Sequence, residues 1–325
     1  MVPAALGALR GGRPMSLVRT GAPNGERARL PRPTGPTRRP GPTRSPGPTH
    51  RAGSLAWHLG ALAVLAVVLY PVLWVVGGSF KPNDEIVGSL ELFPADPLSD
   101  NYRRLADGIA DIPISTFFGN SLFLAAGSVI GVLLSSSLAA YAFAKIGFAG
   151  RGLLFTLMIG TLLLPYHVLL IPQYVLFQKL ELVNTYTPLL LGKYLATDAF
   201  FVFLMLQFMR GLPRELDEAA RLDGCGHLRI YWSIVLPLCR PALITSAIFT
   251  FINAWNDFLG PLIYLNEPEK YTVSLGLKMF VDQDGIANYG GMIAMSLVAL
   301  LPVLAFFLAF QRYLIDGMAT SGLKG

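Results

Sequence analysis

The chain has 325 residues, 53% hydrophobic and only 14% charged, with a mean hydropathy of +0.52; soluble chains carry about 25% charge, so lipid must cover part of this one. The net charge of +6 sits at one end: residues 1–53 hold ten arginines against one acid, Glu26, and the remainder holds 16 basic and 19 acidic residues. The basic balance is therefore no argument for nucleic acid, and no nucleic-acid partner is expected.

Residues 1–53 also contain ten prolines. Such a stretch buries too little apolar area to offset the entropy of ordering, so it is read as a disordered, cytoplasmic arginine–proline tail. It is too long to be the basic leader of a cleavable signal peptide. The body, residues 54–325, is dominated by uncharged runs. These are 29 residues between Arg51 and Lys81, 33 between Asp111 and Lys145, 27 between Arg151 and Lys179, and 27 between Asp284 and Arg312. Each exceeds the roughly 20 residues that cross a hydrocarbon core.

A fifth run, Pro241 to Leu265, has one acid, Asp257; a sixth, Thr185 to Met209, carries Lys193 and Asp198. The expected spans are about 55–78, 116–142, 153–178, 185–209, 241–265 and 289–311, giving an all-α membrane protein of six transmembrane helices. With both termini cytoplasmic, the inside segments 143–151, 210–240 and the end after 311 hold 9 basic residues against 7 outside, leaving the tail aside.

Gly127, Gly131, Ser135 and Ala139 form a small-residue stripe on one face of the second span. It is read first as intrachain packing and otherwise as a subunit contact. Prolines 71, 165, 172, 261 and 302 interrupt several spans, as in helices around cavities. Lys193 and Asp198, five apart, do not share a helical face well.

Catalytic chemistry is not evident. The two cysteines, Cys225 and Cys239, cannot alone fill a zinc site. The four histidines are scattered, without HExxH, and there is no phosphate-binding GxxxxGK[ST] loop. No catalytic residue, metal or cofactor is expected.

The segment from Gly211 to Pro237 is the most informative. Pro213 suits a first helical turn, and Glu215, Asp217 and Glu218 suit a helix N-terminus. Asp217 and Arg221 are spaced as an i,i+4 pair, and Gly224 suits a C-terminal cap. A short exposed helix is predicted, with a nearly bare Ala219–Ala220 surface, then a second helix from near His227 to Pro237. On composition alone the segment is equally a solvated connector. The order Glu218-Ala219-Ala220, three residues, Gly224, nine residues, Ile234-Val-Leu236-Pro237 resembles the EAA loop of permease subunits of bacterial ABC importers.

The resemblance implies a type I importer bundle whose coupling helix docks on a separate ATPase, through Glu218, Ala219, Ala220, Asp223, Gly224 and Pro237. Leu138-Ala-Ala-Tyr-Ala-Phe-Ala-Lys145, the run Phe249 to Phe258 and the terminal Gly317 to Gly325 resemble the smaller permease of the maltose-type, carbohydrate branch. It covers about residues 55–325, not the tail, and Cys225 departs from the small residue usual there. Implied partners are ATP-binding ABC subunits, a second permease, an extracytoplasmic solute-binding protein and a sugar.

Asn253, Trp255, Asn256 and Asp257 are candidates for the translocation pathway. Polar groups at membrane depth are costly unless paired or facing a cavity, and Asn253, Asn256 and Asp257 would share a helical face. Trp255 is a candidate stacking surface for sugar. The alternative is interhelical hydrogen bonding. The expected function is ATP-driven sugar import across the cytoplasmic membrane. Rivals are the same machine with an amino acid, peptide or ion as cargo, a secondary transporter or channel, and a membrane-bound enzyme.

Overall fold

The computed structural model describes residues 49–88, 91–94, 97, 99–282 and 288–319. The predicted tail up to residue 48 lies outside them. The chain divides into two units, Met1–Trp57 and His58–Gly325, and the packing below concerns the second. Helix α1 runs Thr49–Gly78. It includes residues 49–53, expected above to belong to the tail.

Three helices lead into the body: α2 (Asn83–Gly88), α3 (Asp100–Asp107) and the long α4 (Ile114–Lys145). Then come α5 (Arg151–Thr161), α6 (Tyr166–Lys179), α7 (Thr187–Tyr194), α8 (Ala199–Arg210) and α9 (Arg214–Leu222). Helix α10 (His227–Ile230) passes through a π turn at Tyr231–Val235 into α11 (Leu236–Leu238) and α12 (Arg240–Asn256). The last helices are α13 (Leu259–Tyr264), α14 (Val273–Asp282) and α15 (Tyr289–Ala319). No strand occurs among the described residues. In hydrocarbon a helix satisfies its own backbone groups, so long apolar runs take that form.

Four segments are long and apolar enough to cross a membrane: Trp57–Gly78, Ile114–Lys145, Thr187–Arg210 and Tyr289–Gln311. Two bent pairs bring the number to six if each is one span. The expected third span bends by 102° between α5 and α6, where Pro165 bars helical backbone before it and removes an N–H. The expected fifth span is also not straight. It breaks after Asn256, between α12 and α13, and the segment before it, His227–Leu238, joins α12 at 76°. From Trp57 to Leu73 every residue of α1 is exposed. That much apolar surface is tenable in lipid and not in water.

Helix α4 organises the rest. Phe117 and Ala125 near its start join Phe251, Trp255, Val273, Phe280 and Met295 in one apolar cluster. Ala140 and Tyr141 near its end join Met205, Leu206, Met209, Ala220, Ile230, Tyr231 and Val235 in another. The small-residue stripe packs within the chain, Ala139 against the second cluster and the other three against α7. A methyl on Gly127 would lie 3.1 Å from Leu190, and one on Gly131 2.8 Å from the Tyr194 ring. Ser135 Oγ donates to the Lys193 carbonyl at 2.6 Å.

Lys193 and Asp198 do meet, at 3.0 Å. The helix breaks between α7 and α8, with Ala196 at φ +56, so the helical spacing that separates them does not apply. At the start of α4, Asn120 Nδ2 donates to the carbonyls of Glu269 (2.8 Å) and Tyr271 (3.0 Å), and Val273 N–H donates to Ser121 Oγ at 2.8 Å. Nearby, Asn184 Oδ1 accepts from the amides of Asn266 and Glu267, and Lys270 Nζ donates to the Asn184 carbonyl at 2.9 Å. Lys270 also pairs with Glu267 at 2.9 Å. Lys270 and Asn184 hold the Glu267 carboxyl below its ordinary value.

Candidate functional site

Helix α9 is nine residues long, and Pro213 precedes it as the N-cap residue with φ −54 and ψ 135. The prediction placed Pro213 inside the first turn. Its fixed φ fits either position, and the extended ψ lets the chain enter from Gly211. Glu215 and Asp217 lie in the first turn and Arg221 in the last, favourable for the helix macrodipole.

The end of α9 is a Schellman motif. Gly224 N–H donates to the Arg221 carbonyl at 3.0 Å and Cys225 N–H to the Ala220 carbonyl at 2.9 Å. Gly224 has φ +78, a left-handed conformation that glycine adopts without steric cost. Cys225 packs against the same apolar cluster as Ala220, which accounts for a small residue at that position. Asp223 is the exposed C-cap residue.

The three central residues divide. Ala220 is buried, while Glu218 and Ala219 are exposed. Leu216, Ala219 and Leu222 follow at three-residue steps along one face. Leu222 is 90% exposed and Leu228, beyond the cap, 70%. Together they make an apolar strip on an exposed loop, rimmed by Glu218 and Arg221.

Asp217 does not use the predicted Arg221. Its Oδ2 lies 2.7 Å from Lys145 Nζ, and the two side chains are 13% and 9% exposed. Its Oδ1 is buried without a hydrogen-bond partner among the described residues. Lys145, from another element, reaches the carboxylate first, which leaves Arg221 exposed. Four residues back along α4, Tyr141 OH donates to the His227 carbonyl at 3.1 Å. Four further back, Ser137 Oγ and Tyr231 OH are 2.7 Å apart. Ser137, Tyr141 and Lys145 thus form a polar ladder, at one-turn spacing, along one face of α4. The ladder has almost no signature in the sequence. Its one visible sign was Lys145, the charge that ends the 33-residue uncharged run.

The predicted second helix is present from His227 to Leu238, but with a π turn in its middle. π turns inside helices often accompany function. Pro237 follows that turn and is exposed, two residues before the bend at Cys239.

The pathway candidates do not form one surface. Asn253 and Asn256 are exposed on α12, and Asn256 Nδ2 donates to the Ile252 carbonyl at 2.9 Å. Asp257 has left the helix, with φ −65 and ψ 119, and its Oδ1 accepts from Gly260 N–H at 3.1 Å. It caps α13, so the predicted shared face extends only to the two asparagines. Trp255 is 3% exposed. Its indole donates to the Ala299 carbonyl at 3.1 Å, and its ring stacks on Phe251 at 5.7 Å. With both ring and N–H occupied, it offers no stacking face to a sugar. No cluster of metal-ligating side chains occurs among the described residues.

Residues 114–320 match the model of the binding-protein-dependent transport system inner membrane component family. The chain is 36% identical to the arabinooligosaccharides transport system permease protein of Halalkalibacterium halodurans, over 83% of this chain and 97% of that protein. It is 30% identical to the trehalose/maltose transport system permease protein of Thermococcus litoralis, over 82% and 95%. Its fold matches a chain of a bacterial ABC transporter that imports alginate, with a TM-score of 0.71 at 22% identity, covering 82% of this chain and 98% of the other. From the match across α4 to α15, and from relatives covered almost end to end, the chain is a multi-pass membrane protein that belongs to the inner membrane component family of binding-protein-dependent transport systems.

Proposed function

We propose that this chain is the permease subunit of an ATP-driven importer of a sugar or oligosaccharide, working with a second permease, two ATP-binding subunits and an extracytoplasmic binding protein. The observation that carries the reading is α9: a capped, exposed helix whose Glu218 and Ala219 are exposed while Ala220 packs against the bundle. The cargo class rests on relatives named for arabinooligosaccharide, trehalose/maltose and galactooligosaccharide transport.

The mechanism is alternating access. The binding protein delivers the sugar to the outer face, and ATP-driven closure of the ATPases displaces α9. The bundle then reorients, so that ATP binding and sugar release are linked through an element both sites bias. Glu218, Ala219, Asp223 and Gly224 form the docking surface and its cap, Ala220 the apolar contact with the bundle, and Pro237 the end of the connecting helix. The chain supplies no catalytic group; hydrolysis belongs to the partner. Asn253 and Asn256 line the pathway, since exposed amides on an apolar helix are costly against lipid. Asp257 shapes the turn beside them. Both termini face the cytoplasm.

The test is a pull-down of the tagged chain from native membranes in mild detergent, with mass spectrometry of what accompanies it. An ATPase and a second permease are expected, and Glu218→Lys should release the ATPase. A copurifying binding protein that takes amino acids, peptides or ions and no sugar would replace the cargo assignment. Recovery of the chain alone, with uptake indifferent to Glu218→Lys, would replace the importer by a secondary transporter.

A further inference from the structure

Helix α4 is the longest helix described, 32 residues with no internal proline, or about 48 Å at the helical rise. The other candidate spans are interrupted by Pro71, Pro302, the turn between α7 and α8, or bends of 102° and 76°. Near its start α4 grips the loop 269–273 through Asn120 and Ser121. At its end it grips the coupling segment through Ser137, Tyr141 and Lys145.

Two rungs of that ladder hold α4 to residues after α9, namely His227 and Tyr231. Only Lys145 bonds to α9 itself, through Asp217. The apolar attachment of α9 is slight, since Ala220 is its one buried residue. A single methyl contact can slide, whereas separating a nearly buried charge pair leaves each charge desolvated and unpaired. The other ion pairs among the described residues are more exposed.

We propose that α4 is the rod that carries displacement of α9 to the loop 269–273 at its other end, and that the Lys145–Asp217 ion pair makes the rod follow α9. Lys145 and Asp217 are positioning residues. They touch neither nucleotide nor sugar, and they act by keeping α9 and α4 in register while the ATPases move. The proposal rests on the importer reading of α9 and adds to it a route and a pair of residues that transmit the stroke.

The experiment uses the full complex, purified through a tag on this chain and reconstituted in lipid nanodiscs. Glu269→Cys provides a reporter in the gripped loop; only its backbone carbonyl is bonded to Asn120, so the substitution leaves that grip in place. Labelling by a maleimide is read at position 269 by peptide mass spectrometry, so that Cys225 and Cys239 do not interfere. Rates are compared without nucleotide and with Mg-ATP trapped by vanadate. In the otherwise unsubstituted chain trapping should change the rate about 10-fold, and in Lys145→Met or Asp217→Asn by less than about 2-fold, within the usual range of site-to-site coupling.

Lys145→Arg keeps the charge and should retain most of the response. Both uncharged variants should keep their ATPase subunits and their basal ATP hydrolysis, which separates lost transmission from lost assembly. A full response at position 269 in Lys145→Met and Asp217→Asn would overturn the proposal. So would loss of the ATPase subunits from all three variants, Lys145→Arg included, because the pair would then serve folding or docking. If the unsubstituted chain brings down no ATPase, it is the importer reading that fails first.

Discussion

The ammonium of Lys193 lies 3.0 Å from Oδ2 of Asp198, across the turn that separates α7 from α8. The pair sets the two charges against each other in a run, Thr187–Arg210, that is otherwise apolar enough to cross a membrane. Each ion alone would be expensive there, and together they are about one-third exposed. The turn that joins them is seated on α4 through Ser135.

Asp198→Asn should therefore lower stability by about 2 kcal/mol, between the exposed and buried limits for breaking a pair. Replacing both residues by leucine should cost less than either single change. The check is a double-mutant cycle of melting temperatures in detergent. If the double leucine variant is the least stable of the set, the pair is not what balances the two charges.

Gly131 should tolerate nothing larger. Its missing side chain is where Tyr194 and the backbone of Lys193 approach α4. Gly131→Ala should cost about 1–3 kcal/mol by overpacking. Gly152 has open space where a Cβ would stand, so Gly152→Ala should be neutral or stabilise by up to about 1 kcal/mol. Thermal melts of the two variants side by side would decide it.

The cap of α9 makes a separate prediction. Gly224→Ala forces a Cβ into the left-handed region at φ +78, at a cost on the order of 1 kcal/mol. That is small for the whole bundle but large for a nine-residue helix. ATPase retention in the pull-down should fall while the melting temperature barely moves. Gly224→Asn, which tolerates that conformation better, should retain more ATPase than Gly224→Ala.

Trp255 and Asn253 should separate stability from transport. Trp255→Ala removes a buried ring and should destabilise by about 3–5 kcal/mol. Asn253→Ala alters an exposed side chain and should leave the melting temperature unchanged while altering sugar uptake. Uptake and melting measured on both variants test the assignment. It fails if Asn253→Ala melts early or transports normally.

The Glu267–Lys270 contact sets a pH expectation. The lowered value of Glu267 means that folding favours its ionised form. The stabilisation is fully present above the ordinary value of 4.5 and is lost as pH falls through the lowered one. A spin label at Glu269→Cys should show the same mobility at about pH 7.5 and about pH 5.5, where a glutamate of ordinary pKa is already largely ionised. Mobility should rise only in stronger acid. Loosening at pH 5.5 would place the titrating group elsewhere.

Sequence alone determined that the chain lives in a membrane, because charge-free runs longer than a bilayer core have no other stable environment. It also determined α9 and its cap, because Pro213, the first-turn acids and Gly224 act on neighbours a few residues away, where local rules suffice. Tertiary structure decided what depends on partners distant along the chain. Asp217 turned to Lys145 and not Arg221, since a nearly buried ion outcompetes an exposed neighbour on the same helix. The breaks after Tyr194 and Asn256 brought Lys193 to Asp198 and sent Asp257 to cap α13, because helical periodicity stops predicting faces where the helix stops. Trp255 went inward because Phe251, Phe118 and the Ala299 carbonyl together satisfy its ring and its N–H. No spacing along the chain records that three different helices will meet at that point.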